Sequence, residues 1–236
     1  GKIRFSANLC AAKFVRWKKL VVSSHLLPTY ARVDLAFERG EGAWLFTADG
    51  ERYLDFTSGV AVNALGHAHP HLVKALTEQA QKVWHVSNLY GIPEGEKLAD
   101  RLCAASFADT VFFQNSGAEA LECAIKVARK WGYEVKGVPD GRAVIIVATG
   151  NFHGRTTTII GFSDDPLAHD HFGPYTPGFV AVPYGDLEAL RNAITDDVVA
   201  VLLEPIQGES GVRIPPSGYL AGVRELTSQH GVLFIA

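Results

Sequence analysis

The sequence contains no methionine, so no initiator residue is present, and only three of its 236 residues are cysteine. Cys10, Cys103 and Cys123 are scattered, odd in number and outside any C-x-x-C spacing. That speaks against a disulfide scaffold and for a reducing, cytoplasmic compartment. No apolar run reaches the ~18 residues that a membrane-spanning helix needs, so no membrane is expected as a partner. No G-x-G-x-x-G follows a strand; Gly40-Glu41-Gly42 precedes one and lacks the third glycine. No G-x-S-x-G elbow occurs either, which sets aside nicotinamide binding and α/β-hydrolase chemistry. A net charge of -3 gives no reason to expect nucleic acid.

Acidic residues are missing from the start of the chain. Residues 1–27 hold six basic side chains (Lys2, Arg4, Lys13, Arg16, Lys18, Lys19) and no carboxylate, leaving the remainder at -9. A basic, acid-free start reads either as an organellar transit peptide or as an extension foreign to the folded protein. With no methionine at its head, residues 1–26 are expected to be a non-native or mis-assigned extension.

What is present is an ordinary globular composition, 47% hydrophobic and 20% charged. Trp44–Phe46 and Tyr53–Phe56 flank Ala48-Asp49-Gly50-Glu51, and Asp-Gly is a strong hairpin signal. Leu72, Ala75, Leu76, Ala80 and Val83 recur at helical spacing after Pro70, predicting a helix from Pro70 to about Trp84. A second helix is predicted from about Glu94 to Ala105. Strands and helices then alternate: a strand at Val111–Phe113, a helix from Gly117 to about Lys130, and a strand at Ala143–Ala148. Further on come a helix at Leu187–Ile194, a strand at Val198–Leu203, a helix at Gly218–His230 and a strand at Val232–Ile235. The apolar runs lack polar alternation because parallel strands are covered on both faces. The expected fold class is therefore α/β with a mainly parallel sheet. The chain stops at Ala236 directly after an apolar strand, which is read as a truncation.

Three strands end in polar, glycine-containing loops, where open α/β sheets place ligands. Asn115-Ser116-Gly117-Ala118-Glu119-Ala120 has the S-x-x-E spacing of a capping box. Its open backbone amides and helix dipole suit a phosphate, although a plain capped helix has the same pattern. Gly150-Asn151-Phe152-His153-Gly154-Arg155-Thr156 offers a ring for stacking and a guanidinium for a carboxylate. Taken alone, these could be a packing residue and a solvated charge. Glu204-Pro205-Ile206-Gln207-Gly208-Glu209 brings two carboxylates and an amide to the same edge, or forms a simple charged turn.

Together and in this order, N-S-G-A-E-A, N-F-H-G-R-T and E-P-I-Q-G-E resemble the class-III (subgroup II) aminotransferases of fold type I, from about Leu27 to Ala236. The resemblance implies pyridoxal 5'-phosphate as cofactor, and an N-terminal segment at 27–69 followed by part of the cofactor-binding large domain at 70–236. Ser116, Gly117 and Ala118 would hold the cofactor phosphate and Phe152 would stack on its ring, with Glu204 and Gln207 near that ring. Arg155 would hold a substrate carboxylate, and Glu209 would be a switch carboxylate that pairs with a later arginine. The implied substrates are N-acetylornithine and 2-oxoglutarate, the latter becoming glutamate in arginine biosynthesis, and a homodimer is implied for the complete enzyme. Succinylornithine, succinyl-diaminopimelate, ornithine and 4-aminobutyrate are the alternative amine donors. The Schiff-base lysine and the acid that protonates the pyridine nitrogen are expected beyond Ala236. No catalytic residue is therefore assigned within the chain, which is expected to be inactive alone. The alternative outside enzymology is a non-catalytic fragment that binds only a phosphate or a partner chain. His67, His69 and His71 alternate, but no cysteine or carboxylate completes a zinc set nearby, so no metal is expected.

Overall fold

In a computed structural model of the protein, the described residues are 25–209 and 211–236. The expectation for residues 1–26 thus falls almost wholly outside them. The chain forms two compact units, the first ending at Leu98 and the second running from Ala99 to Ala236.

In the first unit, strands β1 (Arg39–Glu41), β2 (Trp44–Phe46) and β3 (Arg52–Leu54) form an antiparallel sheet in that order. The Asp-Gly turn closes as predicted: Gly50 N–H donates to the Thr47 carbonyl at 3.0 Å, with Gly50 at φ 85°. β1 lengthens the hairpin by a strand too short and polar to be seen in the sequence. His67 Nε2 lies 2.8 Å from Asp55 Oδ2, which gives this histidine a carboxylate partner. Helix α1 (Pro70–Ala80) opens on its proline and stops short of Trp84. Helix α2 (Pro93–Ala105) begins in this unit and carries Glu94 and Glu96 in its first turn, where they complement the helix dipole.

In the second unit, α3 (Gly117–Trp131) leads to β4 (Val144–Ala148), and two short helices follow, α4 (Thr157–Ile160) and α5 (Pro166–His169). Next come β5 (Phe179–Val182), α6 (Leu187–Ala193), β6 (Val198–Leu202), α7 (Tyr219–Gln229) and β7 (Leu233–Ile235). The four strands form a wholly parallel sheet in the order β5-β4-β6-β7. The absence of polar alternation in β4 and β6 is explained by their cover. Ile145 and Val147 pack with Ile125, Ala128 and Ile159 on one face, while Ile146 and Ala148 pack with Leu190, Val223 and Leu226 on the other. β5 escapes an apolar-run criterion because it is an edge strand of four residues with Val180 and Ala181 exposed.

One predicted strand is corrected. Val111–Phe113 is not a strand and does not join the sheet. A strand exists only through its ladder, and neither edge of the sheet, β5 or β7, pairs with this segment. Phe112 and Phe113 are accordingly 68% and 47% exposed.

Candidate functional site

The parallel sheet places the loops after β4 and β6 at its C-terminal edge, and the start of α3 approaches the same edge. Ser116 caps α3: its side chain accepts the Glu119 N–H at 3.2 Å. Glu119 completes the box one residue earlier than usual, its Oε2 accepting from Asn115 N–H at 2.7 Å. Among the described residues no hydrogen bond engages the N–H groups of Ser116, Gly117 and Ala118, and a side chain at Gly117 would meet nothing within 4 Å. Three consecutive free donors beside open space, at the positive end of a fifteen-residue helix, fit a phosphate.

Gly154 lets the Phe152 loop approach this helix start. Its φ is +121°, and a Cβ there would lie 2.8 Å from the Ala118 Cβ. Thr156 anchors the loop to α3 by donating to Glu122 Oε1 at 2.5 Å, while its Oγ1 also caps α4 through Ile159 N–H. On the other side, Phe152 N–H donates to Glu204 Oε1 at 2.6 Å. Burial pushes the Glu204 carboxyl above its usual range, the Phe152 N–H works against this, and neighbouring Glu209 adds to it. Tyr184 steadies this corner by donating to the carbonyls of Glu204 and Pro205, each at 3.0 Å.

A cavity of about 270 Å³ lies beside the Phe152 loop, bordered by Gly150, Phe152, His153, Asp164, Glu209 and Arg213 among others. Phe152 is 41% exposed, which leaves much of its ring free for stacking. Arg155 lies apart from this cavity and borders a shallower one with Leu167 and Phe172; its guanidinium carbon is 5.6 Å from the Phe152 ring centroid. Neither Arg155 nor Arg213 forms an ion pair among the described residues. Gln207 is buried and donates from Nε2 to the Thr149 carbonyl at 2.9 Å.

The fold thus gathers Ser116–Ala118, Phe152, Glu204 and Glu209 around one sheet edge, with Gln207 beneath and Arg155 on the flank. Sequence reading missed Arg213, His153 and Asp164, whose Oδ2 accepts the Gly150 N–H at 2.8 Å. His153 stood inside the N-F-H-G-R-T motif without a role, and Arg213 left a trace as a charge inside an otherwise apolar stretch after the E-P-I-Q-G-E motif.

No described lysine borders the cavity. Lys136 Nζ donates to the carbonyl of Val198, at the opposite end of β6, at 2.6 Å. Lys126 and Lys130 border a groove with Tyr133 on the outer side of α3. Among the described residues no helix is long and apolar enough to cross a membrane.

The sequence profile of the family described as "Aminotransferase class-III" matches residues 28–236. The chain is 57% identical over 210 residues to the acetylornithine aminotransferase of Agrobacterium fabrum, covering 89% of this chain and 52% of that protein. Among solved structures it is similar to the ornithine aminotransferase of Toxoplasma gondii ME49, with a TM-score of 0.86 and 37% identity; the match covers 89% of this chain and 50% of that one. It is also similar to the acetylornithine aminotransferase of Elizabethkingia anophelis, with a TM-score of 0.76 and 42% identity over 89% of this chain and 51% of that one. The chain spans about half the length of the curated relatives it matches.

Proposed function

Since the chain belongs to the class-III aminotransferases, enzymes that use pyridoxal phosphate, we propose that it is the N-terminal portion of an aminotransferase acting on N-acetylornithine and 2-oxoglutarate. The observation that carries this reading is the convergence of three free N–H groups at Ser116–Ala118 with the half-exposed Phe152 ring at one sheet edge. When bound, pyridoxal phosphate supplies the electron sink that lets an amino group leave one carbon and reach another. The chain's own residues hold and orient. Ser116, Gly117 and Ala118 receive the phosphate, Phe152 stacks on the ring, and Glu204 keeps Phe152 in place through its backbone N–H. Arg155 receives a substrate carboxylate, and Glu209 stands as a carboxylate facing the ligand cavity.

The cofactor-bearing lysine is not among these groups: the described lysines stand away from the cavity, and Lys136 is held at the far end of the sheet. We therefore assign it, with the pyridine-nitrogen acid, to a portion of the protein outside these 236 residues. We assign the complete enzyme to the cytoplasm, as a homodimer. Ornithine is the second amine donor to consider, because the chain also matches ornithine aminotransferases in sequence and in structure.

The test has two arms. The full reading frame, loaded with pyridoxal phosphate, should form glutamate from 2-oxoglutarate with N-acetylornithine at higher kcat/KM than with ornithine; the reverse order would hand the function to the second reading. The 236-residue chain alone should show no turnover and no single lysine labelled by borohydride in the presence of the cofactor. Turnover with specific labelling of Lys126 or another lysine of this chain would sink the assignment of that lysine to another portion.

A further inference from the structure

The shallower cavity beside Arg155 has a volume of about 140 Å³ and is bordered otherwise by Ile160, Leu167, Ala168 and Phe172, so one cation stands among four apolar side chains. Ile160 is buried, whereas Leu167 and Phe172 are 88% and 57% exposed. The segment that carries these two is braced. Asp165 caps α5 by accepting the Leu167 N–H at 3.0 Å. His169 stacks on Tyr175 with ring centroids 4.2 Å apart, and the Tyr175 hydroxyl donates to the His169 carbonyl. The hydroxyls of Thr158 and Thr176 lie 3.2 Å apart and tie the end of the segment to α4. Leu167 and Phe172 are thus held at the surface by the packing around them.

Among the described residues no carboxylate borders this cavity. The acids of the same stretch are engaged elsewhere: Asp164 accepts the Gly150 N–H, Asp165 the Leu167 N–H, and Asp170 lies 3.0 Å from His169 Nδ1. When the α-carboxylate of an amino-acid substrate rests on Arg155, the α-nitrogen on the adjacent carbon comes within reach of the apolar side chains. A free α-ammonium there meets the like charge of the guanidinium and finds no anion to replace its water. Acylation removes that charge and adds a methyl group for Leu167 and Phe172 to cover. A water occupies about 30 Å³ of liquid, so the cavity has room for a group as small as acetyl. We propose that Leu167 and Phe172 are specificity-determining residues, forming with Ile160 an acyl subsite beside Arg155. The subsite selects amine donors whose α-nitrogen carries a small acyl group over donors with a free α-ammonium. This inference rests on the proposed reading of Arg155 as the group that receives a substrate carboxylate.

The test uses the full-length protein with its cofactor and the variants Leu167→Ala, Phe172→Ala, Phe172→Leu and Leu167→Asp. Both positions are exposed, so these changes leave the core alone. The binding probes are N-acetylnorvaline and pentanoate, which lack the terminal amine and cannot react, with affinities measured by calorimetry. Leu167→Ala and Phe172→Ala should each lower the affinity ratio of N-acetylnorvaline to pentanoate by about tenfold, and Phe172→Leu should recover part of it. Leu167→Asp offers a counter-charge to an ammonium. It should move the ratio of kcat/KM for N-acetylornithine against ornithine towards ornithine by about tenfold or more. Equal loss of affinity for both probes, or ratios that stay at the wild-type value in every variant, would overturn the subsite. A wild-type enzyme that prefers ornithine, or turns over neither amine, would defeat the functional reading. The two probes need no turnover and decide the subsite separately.

Discussion

Phe152 and Glu204 lie 52 residues apart in the chain, and the backbone N–H of the first donates to the carboxylate of the second at 2.6 Å. The bond joins the loop after β4 to the loop after β6, so the ring proposed to stack on the cofactor is held by a group from the neighbouring strand. Parallel pairing of β4 with β6 makes this possible by bringing both strand ends to one edge.

This bond can be tested directly. Glu204→Ala removes a charge-assisted acceptor and should weaken pyridoxal-phosphate binding by about tenfold, whereas Glu204→Gln keeps an acceptor and should lose about threefold or less. Absorbance titration of the full-length protein measures both. Equal affinities in the two variants would mean that Phe152 does not depend on Glu204.

Gly154→Ala should destabilise the protein by ~2 kcal/mol or more, because φ +121° is strained for any side chain and the new Cβ would meet the Ala118 Cβ at 2.8 Å. Ala118→Gly should restore the part due to that contact and leave the part due to φ. Urea midpoints of the single and double variants separate the two; a Gly154→Ala protein as stable as the parent would show that the loop relaxes freely.

His153 gives a pH dependence. Burial alone lowers its pKa from 6.5 to about 4, and its Nε2 is buried without a partner. Between those values the unfolded chain binds the proton and the folded protein does not, so stability falls as pH drops from 6.5 towards 4. Above 6.5 the histidine is neutral in both states and contributes nothing to the slope. His153→Phe should flatten the urea midpoint across this window. An unchanged slope would place the titration elsewhere.

In the full-length enzyme, Arg155→Lys keeps the charge and loses the planar fork that can grip both oxygens of a carboxylate. A fall in kcat/KM of about tenfold or more is expected. Near-normal kinetics would remove Arg155 from the substrate site and leave it as the cation beside the Phe152 ring.

Much of the α/β organisation was legible in residue order alone. The runs at Ala143–Ala148 and Val198–Leu203 are unbroken because both faces of those strands are covered, and the cap at Ser116 is a local pattern running from Ser116 to Glu119. Such signals need no knowledge of distant contacts. The loops after β4 and β6 were visible for the same reason, each following one apolar run, whereas the segment before Ser116 reads as a strand that the structure does not form.

What the tertiary structure decided is whatever depends on pairing across the chain. Val111–Phe113 has the composition of a strand but no neighbour to bond with, and β5 is a strand by pairing with β4 although its own run is short and half exposed. Gln207 reads as a polar residue in a turn, yet it is buried beneath the turn after β4, and Arg213 becomes significant only because the chain folds it back against Gly150. Composition and periodicity report how each segment prefers to sit, whereas the grouping of Phe152, Glu209 and Arg213 around one cavity follows from the parallel order of β4 and β6, which no local stretch encodes.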